Sequence, residues 1–351
     1  MNTPLSELQR QAGAIFEQTS DVPVDFGNRG AALEAVQQGV ALCDRSDWGR
    51  LQVADQDRLN FLHNQSTNDF KTLKPGQGCD TVFVTSTART LDLATAYLTE
   101  DQVWLLVSPS RRQQLIQWLD RYIFFGDWVQ LTDQTANTSA FSLLGPQSAA
   151  LLQRLGVNFP DDASLHDHAV FELAGTQVRV AIGSGLVTPG LTLISSAVDA
   201  PTLWSCLLDQ GAIPMGERVW EELRIQQGRP KPDAELTEDY NPLEAGLWQT
   251  ISFNKGCYIG QETIARLNTY QGVKQQLWGV KLAAPVKPGS LVKLADRPES
   301  KVGVLTSYTQ TADGAFGLAY IKTKVVAAGL HVLIDDVPGE LAELPYLAQR
   351  L

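Results

Sequence analysis

The sequence predicts an α+β protein in which two ferredoxin-like subdomains precede a small antiparallel β-barrel. Two observations carry this reading. Residues 51–65, LQVADQDRLNFLHNQ, and residues 141–155, FSLLGPQSAALLQRL, share one layout. Each has an alternating apolar strand, a tight polar or Gly-Pro turn, and then a helix with Leu or Phe at helical spacing. From Gln276 onward the pattern changes: LWGVKL, SLVKL, KVGVLTSY, AFGLAYI and HVLI are short runs at close spacing, separated by turn residues. That is the signature of a small barrel.

Between the two copies, residues 79–108 read as three strands with turns near Ala88–Arg89 and Glu100–Asp101. SRRQQLIQWLDRYIFF follows as an amphipathic helix whose Leu115, Ile116, Leu119 and Ile123 make one stripe. After the second copy, FELAGTQVRVAIGSG and LTLISS read as strands, and PTLWSCLLDQGA and GERVWEELRIQQGR as helices. Strand–helix–strand units occurring twice point to two ferredoxin-like subdomains. RPKPDAELTEDYNPLEAG, Arg229 to Gly246, reads as the one long polar linker. The 351 residues exceed what one core usually organises. The expected division is 1–272 for the two α+β subdomains, which need not be contiguous, and 273–351 for the barrel.

Composition narrows the function classes. With 44% hydrophobic and 19% charged residues the chain is not generally disordered. A formal net charge of -11 argues against a protein whose main partner is nucleic acid. The first eighteen residues have neither a basic start nor an apolar core, so no secretory signal is read. No apolar run is long enough to span a bilayer, so no membrane partner is expected. Cys43, Cys79, Cys206 and Cys257 lie far apart and form no CxxC. That usage fits a reducing, cytoplasmic setting and supplies no zinc site and no complete iron–sulfur ligand set.

The most conspicuous candidate is Cys257, in NKGCYIGQETIAR. Gly256 and Gly260 permit a tight loop, and GQETIARL begins a helix with Gln261 and Glu262 in its first turn. A helix start and Lys255, two residues away, both favour a thiolate. The plainer alternative is a small buried residue in a glycine-tight turn. Trp48, in DRSDWGRL, and Trp220, in ERVWEEL, have polar neighbours and could each stack a flat heterocycle, against the alternative of capping a core. Asp47, Arg50 or Arg224 could supply hydrogen bonds at the ring's rim, and Arg224 stands one helical turn beyond Trp220 on the same face. Asp92 is a lone carboxylate in a strand-like setting, either functional or edge-exposed. His166 and His168 resemble half a metal site, but a solvated turn explains them better. Gly183 and Gly185 lack the spacing of a phosphate loop.

KGCYIGQE resembles the signature of the YgfZ family of folate-binding iron–sulfur assembly factors, relatives of the aminomethyltransferase (T-protein) of the glycine cleavage system. LCDRSDWGRLQVADQDRLNFLHNQSTNDF, LRIQQGRPKPDAEL with NPLEAGL, and GVLTSY with GLAYI are similar to further stretches of that superfamily, so the likeness runs through most of the chain. The resemblance implies a T-protein-like three-domain arrangement, tetrahydrofolate or a related reduced folate as cofactor, and a role in assembling or repairing iron–sulfur proteins. It associates Trp48 and Trp220 with the folate pocket and makes Cys257 the residue of functional interest. Two departures set the chain apart from the glycine-cleavage enzyme. A paired Asp-Asp is replaced by Asp92-Leu93, and a Gly-Tyr-Thr-Gly-Glu stretch by GSGLVTPG. The enzyme's own aminomethyl transfer is therefore not expected, although a folate-dependent one-carbon transferase is the alternative reading.

The candidate set is Cys257 with Lys255 for chemistry, Trp48, Trp220, Arg224 and Asp92 for the cofactor, and no metal. One cysteine cannot hold a cluster that usually needs about four ligands. The expected contacts with iron–sulfur client or assembly proteins are accordingly transient, made by a monomer.

Overall fold

Apolar residues alternating along Thr138–Leu144 and Gly190–Ser196 place these strands at the centre of a six-stranded sheet. Its order is Ile213–Met215, Ala41–Asp44, Thr138–Leu144, Gly190–Ser196, Thr176–Ile182, His168–Leu173. All neighbours are antiparallel except Ile213–Met215, which runs parallel to Ala41–Asp44. The register sets Leu42 opposite Leu143 and Phe141 opposite Leu193, and these side chains form one core with Leu203, Trp204 and Leu207 of the Ala200–Asp209 helix. Each such large apolar side chain contributes roughly 1.5–3 kcal/mol by leaving water. The structure, a computed structural model, describes residues 3–18 and 20–348.

A second sheet has five strands in the order Gly78–Val84, Thr90–Leu98, Gln102–Val107, Gly49–Ala54, Gln130–Asp133. Ala88, in the turn predicted between the first two of these, has a left-handed φ of 61°. The closed six-stranded barrel runs Gln275–Leu282, Gly314–Lys322, Lys301–Thr311, Leu291–Leu294, His331–Ile334, Val337–Ala342, and the last strand pairs back with the first. Five of these strands are legible in the sequence. The sixth, VPGELA, is not among the expected strands, and its pairing with both neighbours closes the barrel and removes its edges.

The α+β architecture ending in an antiparallel barrel is thus the one expected. The chain sorts into two compact units, each gathered from three stretches. The first takes Met1–Phe61, Phe70–Asp80 and Ala94–Trp220; the second takes Leu62–Asp69, Thr81–Leu93 and Glu221–Leu351. The barrel begins at Gln275, close to the expected division at 272/273, but it shares the second unit with the residues before it.

One expectation is corrected. Residues 229–246, read as a polar linker, are largely buried in the second unit. Leu236, Leu243 and Ala245 sit in its core, and Glu235 is fully buried. The polar residues are tolerated there because each finds a partner: Glu235 accepts from Arg224, Thr306 and Ser307, and Asn241 caps the turn at Leu243 and Glu244.

Candidate functional site

The Cys257 loop is built by the second unit around two constraints. Gly260, at φ 80°, precedes the Gln261–Thr269 helix, and a Cβ there would lie 2.8 Å from the Thr85 carbonyl oxygen and 2.9 Å from Val84 Cγ2. Only glycine meets both the left-handed backbone and that approach. The second constraint is Lys255. It is buried, and its Nζ donates to the carbonyl oxygens of Ser66 (2.8 Å), Asn68 (2.6 Å) and His63. Tyr258 is also buried, with the Lys255 ammonium 4.7 Å from its ring centroid, and burial pushes its phenol up to about 12. The Ile259 N–H donates to the Asn64 carbonyl at 3.0 Å, and His63 makes a 3.1 Å contact with Asp69.

Cys257, held between these anchored neighbours, is exposed. Cys43 is buried, and burial drives its thiol far above the ordinary range; Cys79 and Cys206 are half-buried. The structure gives Lys255 a mounting task that the sequence did not show. Its ammonium donates to three carbonyl oxygens and so ties the loop to residues 63–68.

In the first unit Trp48 and Trp220 come together edge to face, with ring centroids 6.3 Å apart. Between them lies a cation absent from the expected set. The Arg45 guanidinium carbon sits 3.9 Å from the Trp220 centroid and 4.6 Å from that of Trp48, and Arg45 also pairs with Glu217. Both tryptophans are buried. Behind them Arg50, 1% exposed, donates to Thr138 Oγ1 at 2.8 Å and to the carbonyl oxygens of Thr135, Ser46 and Trp48; burial lowers it to about 10. Asp44 and Asp47 are both raised, burial being the first cause, and Asp47 Oδ1 is buried with no hydrogen-bond partner among the described residues.

Asp92 lies in the second unit on the Thr90–Leu98 strand and is fully buried, which excludes the edge-exposed alternative. Its Oδ1 accepts from the Leu93 N–H at 2.9 Å. Arg224, expected to face a cofactor, spends its guanidinium elsewhere. Nε donates to Glu221, Nη1 to Glu235 at 2.8 Å, and Nη2 to Glu221 and to Ser307 Oγ at 2.7 Å. The i,i+4 spacing from Trp220 is real in the Glu217–Gln227 helix, but four of the five guanidinium N–H donors go to protein partners.

A family model described as the GCVT N-terminal domain matches residues 5–255. The chain belongs to the GCVT family. It is 46% identical over 349 residues to an Arabidopsis thaliana protein named "Putative transferase At1g60990, chloroplastic", covering 99% of this chain and 80% of that one. It is 30% identical over 348 residues to an aminomethyltransferase of Geobacillus kaustophilus, covering 95% of this chain and 93% of the other. The crystal structure of the glycine cleavage system aminomethyltransferase T from Bartonella henselae superposes with a TM-score of 0.85, at 22% identity, over 99% of this chain and 98% of that one. At that identity the likeness speaks for the fold.

Within the GCVT chain, the HDH pair is corrected. His168 is buried, its Nε2 on the Leu98 carbonyl oxygen at 3.0 Å and its Nδ1 2.8 Å from Arg179; burial, then the Arg179 charge, lower it to about 4. His166 faces Asp80 at 3.4 Å. Among the described residues no group of three or more His, Cys, Asp or Glu could hold a metal ion, and no helix is long and apolar enough to cross a membrane. Arg45 was missed by sequence reasoning, though DRSDWGR had a signal: two arginines and two aspartates within seven residues beside an apolar strand.

Proposed function

We propose that this GCVT-family chain is a reduced-folate-binding factor of the YgfZ type, supporting the assembly or repair of iron–sulfur proteins through Cys257. One observation carries the reading: an exposed thiol on a loop whose flanking Lys255, Tyr258 and Gly260 are all fixed in place. A merely structural cysteine has no need of such a mount. The family's association with tetrahydrofolate supports the cofactor, and Trp48 and Trp220, already paired around Arg45, are the aromatic surfaces offered to it. Lys255 enters as the residue that holds the loop, and Arg224 as a strut from the Trp220 helix to Glu235 and Ser307. Asp92 is the one carboxylate left where the glycine-cleavage enzyme has two. The protein would act in the cytoplasm as a monomer, touching iron–sulfur clients transiently. A single thiol then needs a partner or a small thiol to complete any cluster contact.

The test is complementation of a strain lacking the protein. Wild type should restore iron–sulfur enzyme activities and Cys257→Ser should not, while both bind tetrahydrofolate with quenching of tryptophan fluorescence. Full rescue by Cys257→Ser would refute the thiol's role. A second reading, a folate-dependent one-carbon transferase, is favoured by the names of the relatives, which are transferases. Turnover of an amine donor with tetrahydrofolate, unaffected by Cys257→Ser, would select it.

A further inference from the structure

The helix that follows the thiol loop forms one wall of a cavity in the second unit that none of the roles above uses. The cavity has a volume of about 450 Å³, within the range of small-molecule sites. Three cations line it: Arg89 from the Ala88 turn, Arg266 from the Gln261–Thr269 helix, and Lys274 just before the barrel. None of the three is in an ion pair among the described residues; Arg89 Nη1 donates to the Asp239 carbonyl oxygen at 2.8 Å. Glu244, at the buried floor, is the one carboxylate in the lining. It is engaged by the Asn241 N–H at 3.1 Å and by Gln275, and burial disfavours its charged form. The remaining wall is apolar and aromatic, from Leu267 and Tyr270, the latter 78% exposed.

Three converging cations are unexpected on a chain of net charge -11. Glu244 is close enough to feel the charges of Arg89 and Lys274, but one carboxylate set against three cations leaves an excess of positive charge that a polyanion relieves. Guanidinium groups receive oxyanions through paired N–H donors, and Lys274 adds a point charge. We propose that this cavity binds a small organic anion carrying at least two oxyanion groups. These groups meet Arg89, Arg266 and Lys274, while the ligand's carbon body lies against Leu267 and Tyr270. The proposal does not rest on the folate reading, because none of Trp48, Trp220, Arg224 and Asp92 lines this cavity.

The experiment uses the full chain without folate and titrates citrate, glutarate and inorganic phosphate separately by calorimetry at low ionic strength, with chloride as the control. Citrate should bind more tightly than phosphate, and its affinity should fall as salt rises from about 0.02 to 0.3 M. Arg266→Gln and Lys274→Gln should each lower citrate affinity about tenfold, in line with losing one charge-assisted contact. Both positions are exposed, so the variants should fold, which circular dichroism checks. Identical citrate affinity in wild type and both variants would overturn the site. Equal binding of phosphate and citrate would overturn the organic ligand and leave a bare anion contact.

Discussion

At the scale of single residues, the thiol loop shows how neighbours of an exposed group can be more constrained than the group itself. Lys255 places an ammonium among three carbonyls in a buried setting. Lys255→Met would strand those acceptors, and we expect a loss of about 2–4 kcal/mol of stability in urea denaturation. Gly260→Ala should cost about 1–3 kcal/mol through its left-handed backbone, with the Thr85 contact adding to it. Native-state alkylation followed by peptide mass spectrometry should label Cys257 first, and Cys43 only after denaturant is added, because Cys43 is buried. Equal labelling of the two in the folded protein would contradict that ordering. Of this loop the sequence showed the glycine pair and the thiol. It could not show where the ammonium goes, because His63, Ser66 and Asn68 stand almost two hundred residues away in the chain.

At the scale of elements, the Glu217–Gln227 helix is tied to residues 229–246 and to the barrel by one ionic network, in which Arg224 bridges Glu221, Glu235 and Ser307 and Lys231 joins Glu221. Arg224→Met would leave the fully buried Glu235 carboxylate without its cation, and breaking a buried pair in this way costs about 3–5 kcal/mol. A change in urea midpoint measures it. Glu221 responds to pH. Burial alone would raise its carboxyl, but the hydrogen bond and charge of Arg224, followed by Lys231, bring it down to about 2. A carboxyl depressed in the folded state stabilises the protein above its ordinary value near 4.5, and this contribution is lost as pH falls from there towards 2. Glu221→Gln should therefore flatten the fall in stability across that window while changing little at pH 7 beyond the loss of the pair. Glu221 is about a third exposed, so salt should weaken the effect.

At the scale of the whole molecule, GCVT membership and a shared T-protein fold leave the reaction open, since function resides in the site. Where the resemblance to the glycine-cleavage enzyme expects a paired Asp-Asp the chain has Asp92 followed by Leu93, and residues 183–190 contain no glutamate. Purified protein supplied with a lipoylated carrier loaded with aminomethyl groups and with tetrahydrofolate should form no methylenetetrahydrofolate. Robust turnover would mean that another carboxylate serves. Trp220→Ala should abolish most of the fluorescence response to tetrahydrofolate; an unchanged response would remove Trp220 from the folate surface.

Local periodicity in the sequence was enough to determine the α+β class, the strand–turn–helix copies at 51–65 and 141–155, five of the six barrel strands and the glycine-bounded Cys257. Each of these is encoded in residues close together in the chain, where alternation, helical spacing and turn chemistry act. The tertiary structure alone decided the remainder. It buried the polar stretch 229–246 by supplying Arg224, Thr306 and Ser307 as partners, and it paired VPGELA, a segment absent from the expected strands, into the barrel. It set Arg45 between two tryptophans 172 residues apart, tied Lys255 to residues 63–68, and gathered Arg89, Arg266 and Lys274 around one cavity. Hydrogen bonds, charge and desolvation act through space, so a polar side chain's role depends on which distant groups folding brings beside it.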